Sequence, residues 1–427
     1  MLEVRRALGY PVDPAGLAAF RIGFGLLACA AAVRFVALGW VEALLVAPSF
    51  HFTWAPWVVV PSPGVLYALF GVQAVAGLCI AAGRVVRPAL VVWLVAFGYV
   101  ELLDKALYLN HYVLFTLLGV TLLLTPASRA RVAGGAVPAW VLSLLRIEVG
   151  LVYLGAGVAK LNADWLLRAE PLRTWLEARV DMPLIGPWLA WDPTAWLMSW
   201  SGAAYDLAIP FLLLHARTRS VGLVLVVAFH VAVGVLFPIG VFPWLMVLGV
   251  TLFLPPAWPR RWLGGALRDR GEGRPVRASG LAVFGAVVLL QLIVPARHVA
   301  WSQDVAWTEQ GYRFGWRVLL HEKTGLVDYR VVEPATGRTW RVYPADELTP
   351  LQHQHMRTQP DMIRDYALHL AERHAQQGRQ VEVYADAWAS LNGHPTQRLL
   401  RPDVDLTQAP SVLRGQSWIV PRAAGGR

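Results

Sequence analysis

The stretch "GAGVAKLNADW", residues 155–165, closes an apolar run over 140–160 on a lysine. A run of that length suffices for a helix to cross the hydrocarbon core of a bilayer. Taken as a span, it makes the chain an integral membrane protein and leaves Lys160 with two explanations. It is either an interfacial anchor that lifts its ammonium into headgroup water, or a base held in apolar surroundings.

Composition supports the span. Of 427 residues, 56% are hydrophobic and only 15% are charged, against about 25% charged in ordinary soluble domains. Twenty tryptophans suit the aromatic belts at the two faces of a bilayer. The formal net charge is +10, but the basic residues alternate between apolar segments instead of forming one face. Nucleic acid is therefore not expected as a partner. The two cysteines, Cys29 and Cys79, lie inside apolar segments, which excludes a disulfide framework and a thiolate metal site. No H-E-x-x-H spacing, Walker motif or glycine-rich dinucleotide turn is present, so neither a metal nor a nucleotide is expected. The opening "MLEVRRALGYPVDPAG" is too polar and proline-broken for a cleaved signal peptide, so the first apolar run is expected to be retained.

Nine runs have spanning character: 17–39, 64–83, 88–104, 107–124, 140–160, 203–214, 220–237, 240–256 and 279–295. The sixth is short and can extend back into "WLMSWSGAAYD". Alternate gaps hold Arg5 and Arg6; Arg84 and Arg87; Arg129 and Arg131; Arg217 and Arg219; and a group from Arg260 to Arg277 that includes Arg268 and Arg270. The gap over 40–63 on the opposite side has no Lys or Arg. Such asymmetry places the N-terminus in the cytoplasm and the C-terminal region outside.

From about residue 297 the pattern changes. "GLVDYRVVEPATGRTWRVYP" and "QVEVYADAWASLNGHPTQRLL" alternate around glycine-containing turns and predict hairpins. Between them, "PDMIRDYALHLAERHAQQG" predicts an amphipathic helix ending at Gly378. "HQHMR" at 353–357 reads as a polar loop. The expected fold is a polytopic α-helical membrane domain of about nine transmembrane helices over 1–296, followed by a strand-rich α+β extracytoplasmic domain over 297–427.

On this topology, separated segments deliver ionisable groups to one leaflet: Asp104, Lys105, Asn110 and His111 at a hairpin tip, Lys160 at the end of the fifth span, Asp206 near the start of the sixth, and His230 in the outer half of the seventh. Intramembrane ionisable groups are costly and point to function. Tyr153, Gly157, Lys160 and Asp164 are spaced 4, 3 and 4 apart, which puts them on one helical face. Gly155 and Gly157 leave that helix open to close approach. Each feature also has a plain structural explanation: a Lys160–Asp164 pair, a packing histidine at 230, and an Asn110 helix cap.

The order of these motifs resembles the vitamin K-dependent γ-glutamyl carboxylases, whose bacterial relatives share a horizontally transferred transmembrane domain. The resemblance rests on "LDKALYLNHYVL" (103–114), "AGVAKLNADW" (156–165), "FHVAVGVLFPIGVF" (229–242), "WTEQGYRFGWRVLLHEK" (307–323), "PDMIRDYA" (360–367) and "YADAWASLNGHPTQRLL" (384–400). It implies an enzyme that oxidises reduced vitamin K, a phylloquinol or menaquinol, with O2 to the epoxide. The strong base so made removes a glutamate γ-proton, and the carbanion takes up CO2. It further implies Lys160 as the base on the hydroquinone, with Asn110 and His111 at the reacting centre and Tyr153, Gly157 and His230 about the quinol. Tyr312, Trp316, His321, Lys323 and Arg398 would hold the glutamate segment of an extracytoplasmic peptide or protein. The implied setting is a bacterial inner membrane.

The chain departs from the family pattern in places. Val318 and Leu319 stand where a methionine pair is expected, and Lys323 where an arginine is expected. "RPDVD" at 401–405 exchanges the charge order of the family's motif. These changes keep quinol oxygenation without carboxylation open as an alternative, and a non-catalytic membrane scaffold of the same fold is a third reading. A transporter is disfavoured, because no paired broken helices recur in two halves.

Overall fold

A computed structural model describes residues 2–132, 135–237, 239–263, 274–301, 304–412, 415 and 417–423. Arg268 and Arg270 of the basic group lie outside the described residues. Seven helices are long and apolar enough to cross a membrane: α1 Ala15–Ala37, α2 Pro63–Ala82, α3 Val86–Leu103, α5 Ala139–Ala159, α6 Asp192–Leu214, α7 Arg219–Leu236 and α9 Ala278–Ala296. Two shorter apolar helices join them, α4 Asn110–Leu124 and α8 Phe242–Val250, the latter continuing as a 3-10 turn over Thr251–Phe253. All nine expected spans thus fall on helices. The sixth starts at Asp192, eleven residues before its apolar run, because its first turns carry tryptophans and small residues that the hydropathy of the run does not capture.

Close packing follows from small residues at the crossings. A Cβ on Gly25 of α1 would stand 2.4 Å from the Gly77 carbonyl oxygen of α2, and one on Gly77 would stand 2.7 Å from that of Gly25. Between α1, α3 and α4, the rings of Phe24, Trp93 and Phe115 meet edge to face with centroids 4.7–5.2 Å apart. α5 is the central helix and fully buries Leu144, Leu145 and Val149. α9 stands at the periphery, with Gln291 its one buried residue.

The outer domain is a four-stranded antiparallel sheet of β1 Lys323–Glu333, β2 Arg338–Val342, β3 Glu382–Leu391 and β4 Gln397–Arg398, in the order β2-β1-β3-β4. Both predicted hairpins are present. Tyr329 pairs with Val342 and Val331 with Val383. Period-two alternation buries Val327, Tyr329 and Val331 with Val383, Ala385, Ala387 and Ala389 on one face. The alanines of β3 let the predicted helix, α11 Pro360–Ala375, pack closely through Met362, Ile363, Tyr366 and Leu370. The segment expected to be a polar loop is instead a helix, α10 Pro350–Met356. Thr349 and Gln352 form a capping box there, the T-x-x-Q signature that the sequence carries just before it.

The two regions join at the hairpin between α3 and α4. Asp104 and Lys105 are neither solvated nor a mutual pair. Asp104 is 1% exposed, accepts from the Ala106 amide at 2.8 Å and accepts from Gln352 Nε2 of α10 at 2.7 Å. Lys105 pairs with Asp365 of α11 and lies 3.6 Å from Asp361, which Arg313 approaches to 2.6 Å. Burial opposes ionisation of Asp361, but Arg313 and Lys105 outweigh it and hold the carboxyl down at about 2. Phe52, from the loop between α1 and α2, inserts into the hydrophobic core of the outer domain.

Candidate active site

α5 stops at Ala159, and Lys160 is its C-cap. Asn162 leaves the helical conformation and accepts from the Trp165 amide at 3.0 Å, which starts a short helix over Ala163–Arg168. This break overturns the single-face expectation for Asp164. Its carboxylate instead meets His394 at 2.6 Å, Asn392 at 3.1 Å and Arg422 at 3.6 Å, all in the outer domain. Lys160 turns the other way. Its Nζ donates to Asp206 Oδ2 of α6 at 2.7 Å and lies 5.1 Å from the Trp165 ring. Both side chains are nearly closed to solvent, at 7% and 6% exposure. Removing either partner of such a pair would strand the other charge and cost about 3–5 kcal/mol.

The pair forms the polar end of an otherwise apolar chamber. Its walls include Val152, Phe229, Phe237, Met246 and Leu172. Tyr153 Oη and His230 Nε2 of its lining share a hydrogen bond of 2.9 Å, while His230 Nδ1 is buried without a partner among the described residues. Gly157 does not line the chamber. A Cβ there would stand 2.9 Å from Leu207 of α6, so this glycine serves the α5–α6 crossing that brings Lys160 to Asp206.

A second chamber, about 450 Å³, lies between the α3–α4 hairpin and the outer domain. Asn110 opens α4. It accepts from Tyr108 Oη at 2.7 Å and donates to the Arg317 carbonyl at 3.1 Å, so it ties the domains together instead of capping its own helix. His111 is buried with Nε2 unpartnered. Tyr312 also donates to the Arg317 carbonyl, at 3.3 Å, and its ring meets that of His321 at 4.5 Å. His321 and Lys323 both approach Glu309 at 3.5 Å, and Lys323 donates to the Trp307 carbonyl at 2.6 Å. Burial opposes ionisation of Glu309, but Lys323, His321 and Arg313 keep its carboxyl below the ordinary range.

The two chambers share three wall residues, Phe242, Val318 and Leu319. The Phe242 ring lies 5.7 Å from the ring of His111 on one side and 5.4 Å from that of His230 on the other. Phe314, Trp316 and Leu319 hold positive φ values of 61°, 52° and 48°. Three strained non-glycine residues within six mark a segment fixed by its surroundings. Trp316 faces a third space, a groove of about 1020 Å³ between α5, α9 and the outer domain, and packs against Gly155. Arg398 joins none of these spaces. It pairs with Asp386 at 2.7 Å and stacks over Trp388 on the outer sheet.

The structure therefore brings Lys160, Tyr153 and His230 together, and Asn110, His111, Tyr312, His321 and Lys323 together in the next chamber. Asp206 and Phe242 are the residues the sequence did not assign. Asp206 carried a signal, an acid inside an apolar run. Phe242 carried none, because nothing in a sequence marks one ring among many as a partition. Among the described residues, no group of three His, Cys, Asp or Glu side chains could hold a metal.

Two protein families match the chain. The family described as HTTM domain matches residues 10–258. That described as vitamin K-dependent gamma-carboxylase, lumenal domain, matches residues 276–424. No solved structure matches.

Proposed function

Because the chain belongs to the vitamin K-dependent γ-carboxylase family, we propose that it carboxylates glutamate side chains of an extracytoplasmic protein, using reduced vitamin K, O2 and CO2. The observation that carries this is the pair of chambers, one apolar and one polar, divided by Phe242, Val318 and Leu319. The arginine alternation supports a cytoplasmic N-terminus and an outer domain facing the far side of the membrane.

The first chamber suits a reduced naphthoquinone. Its aromatic and aliphatic walls match a fused ring, and the orphaned His230 Nδ1 is a polar group that a ring oxygen would satisfy. Bound there and oxidised by O2, reduced vitamin K supplies the strong base that a glutamate Cγ–H requires. Lys160 is the base toward the quinol hydroxyl. Asp206 Oδ2, 2.7 Å from Lys160 Nζ, fixes the side chain at the polar end of the chamber. Tyr153 and His230 hold the far side of the ring, and the apolar walls keep water from competing for the proton.

In the second chamber Asn110 and His111 orient the glutamate side chain toward the shared wall, and Tyr312 and His321 shape the pocket. One observation favours a second reading, quinol oxygenation without carboxylation: Lys323, at the family's arginine position, is occupied by Glu309. A single experiment separates them. Purified protein would receive reduced vitamin K, O2, labelled bicarbonate and a glutamate-rich peptide, and epoxide and fixed label would be followed together. Epoxide with label, both lost in Lys160→Ala, is the expected result. Epoxide without label would favour the second reading, and neither product would overturn both.

A further inference from the structure

Five cationic side chains border the second chamber: Arg34, Lys105, Arg313, Arg317 and Lys323. Three are neutralised, Lys105 by Asp365 and Asp361, Arg313 by Asp361 and Lys323 by Glu309. Among the described residues the other two have no carboxylate within 4.0 Å. Arg34, three residues from the end of α1, lies over the Trp40 ring at 4.5 Å. Among the described residues the Arg317 guanidinium hydrogen-bonds only to the His298 ring, Nη2 to Nε2 at 3.0 Å. An imidazole supplies no negative charge, and among the described residues Arg317 Nε is buried without a partner. Partly buried guanidinium groups without counter-ions are unfavourable. Two of them bordering one cavity, beside Asn110 and His111, call for an anion.

We propose that Arg34 and Arg317 form a cradle for two carboxylates borne by one carbon, the malonyl-type product. This deepens the carboxylase reading and rests on it. In the reaction the Cγ–H proton leaves to the base formed when O2 oxidises the quinol. The electron pair left on Cγ then forms a bond to the carbon of CO2. One C=O π pair moves onto oxygen, and no group departs. A side chain that arrived with one negative charge leaves with two. Each planar guanidinium fork matches one carboxylate. Arg317 borders both the chamber and the large groove, so it receives the carboxylate that the substrate brings. Arg34 comes from a different element, α1, and receives the carboxylate that the reaction makes. Lys323 and Arg398, at the positions where the family pattern suggested such contacts, are already engaged.

The test uses the whole protein in detergent, without quinol or O2, and malonate and acetate as probes in calorimetry. Wild type is expected to bind malonate at least about tenfold more tightly than acetate, as a second charge-assisted contact implies. Arg34→Gln should abolish that preference while acetate affinity persists. Arg317→Gln should weaken both probes about 10- to 100-fold. Arg34→Lys, which keeps the charge and loses the fork, controls for misfolding and should be intermediate. Arg401→Gln, in an exposed pair with Asp403, should change nothing. In turnover, Arg34→Gln should lower fixed label per epoxide, and Arg317→Gln should raise the peptide KM. Wild type that fixes label but shows no malonate preference would overturn the cradle alone, as would a preference surviving both glutamine variants. Wild type that makes no epoxide and no label would overturn the carboxylase reading, whatever the malonate result.

Discussion

The two chambers are neighbours with opposite designs. The one around Lys160 holds a single ion pair, Lys160–Asp206, in apolar walls. The one around Asn110 and His111 is crowded with charge: Lys105, Arg313 and Lys323 are answered by carboxylates, whereas Arg34 and Arg317 are not. On the proposed function the difference is one of task. Moving a proton benefits from a dry site in which electrostatic interactions are strong. Holding a carboxylate benefits from cations that no carboxylate of the protein already occupies, set among neighbours whose charges are balanced. Three side chains, Phe242, Val318 and Leu319, keep the two environments apart.

Losing the ion pair should be the most severe way to break this contrast. Lys160→Ala is expected to lower epoxide formation by about 10²- to 10⁴-fold, the worth of a positioned acid–base group, and to destabilise the fold by about 3–5 kcal/mol through the stranded Asp206. The double variant Lys160→Met with Asp206→Leu should recover thermal stability and no activity. If its activity returned, the pair would be structural alone. Thinning the partition comes next. Phe242→Leu should lower label fixed per epoxide roughly tenfold, a displacement effect at the reacting atoms, while a ratio equal to wild type would mean that the ring is not the boundary.

The second chamber should also be more sensitive to acid, because its docking contacts are ionic. The Asp361 carboxyl sits at about 2, below its unfolded value near 3.9. Its contribution is therefore present above about pH 4 and is lost as the pH falls toward 2. That contribution is on the order of 2 kcal/mol at neutral pH. Asp361→Asn should remove it and flatten melting temperature against pH over that window, and an unchanged profile would show that Arg313 and Lys105 do not act through this carboxylate. The smallest effect is expected outside both chambers. Arg398→Ala removes an exposed pair worth about 0–1 kcal/mol, so epoxide and label should stay within about twofold of wild type. A larger loss would put Arg398 back at the substrate.

What could be read in advance divides along physical lines. Hydropathy located all nine apolar helices, alternation located both hairpins, and helical periodicity located α11, because each signal is local and repeats. The family motifs named Lys160, Asn110 and His111, which lie in two adjoining chambers. What failed depended on breaks and partners. The helix stops at Ala159 because Asn162 caps a new one, so Asp164 leaves the face that its spacing promised. Asp206 was visible as a buried acid, but its partner 46 residues away was not. Arg398 lies in a matched motif, yet its register in the sheet points it to Asp386. Arg34 and Arg317 stood out only once the other cations around them had found carboxylates.

The clasp between Asp104 and Gln352 has a consequence for how the protein is made. Gln352 follows Asp104 by 248 residues. At roughly 5–20 residues per second of synthesis, the hairpin tip waits about 10–50 s for the side chain that will cover its acid. Until then a polar loop, which follows three helices, must stay wet or be shielded by insertion machinery. The clasp thus sets an order of assembly, with the helical bundle inserted first and the outer domain latched last. A nascent chain halted before residue 352 would expose its unlatched tip, a difference that a quality-control protease could read.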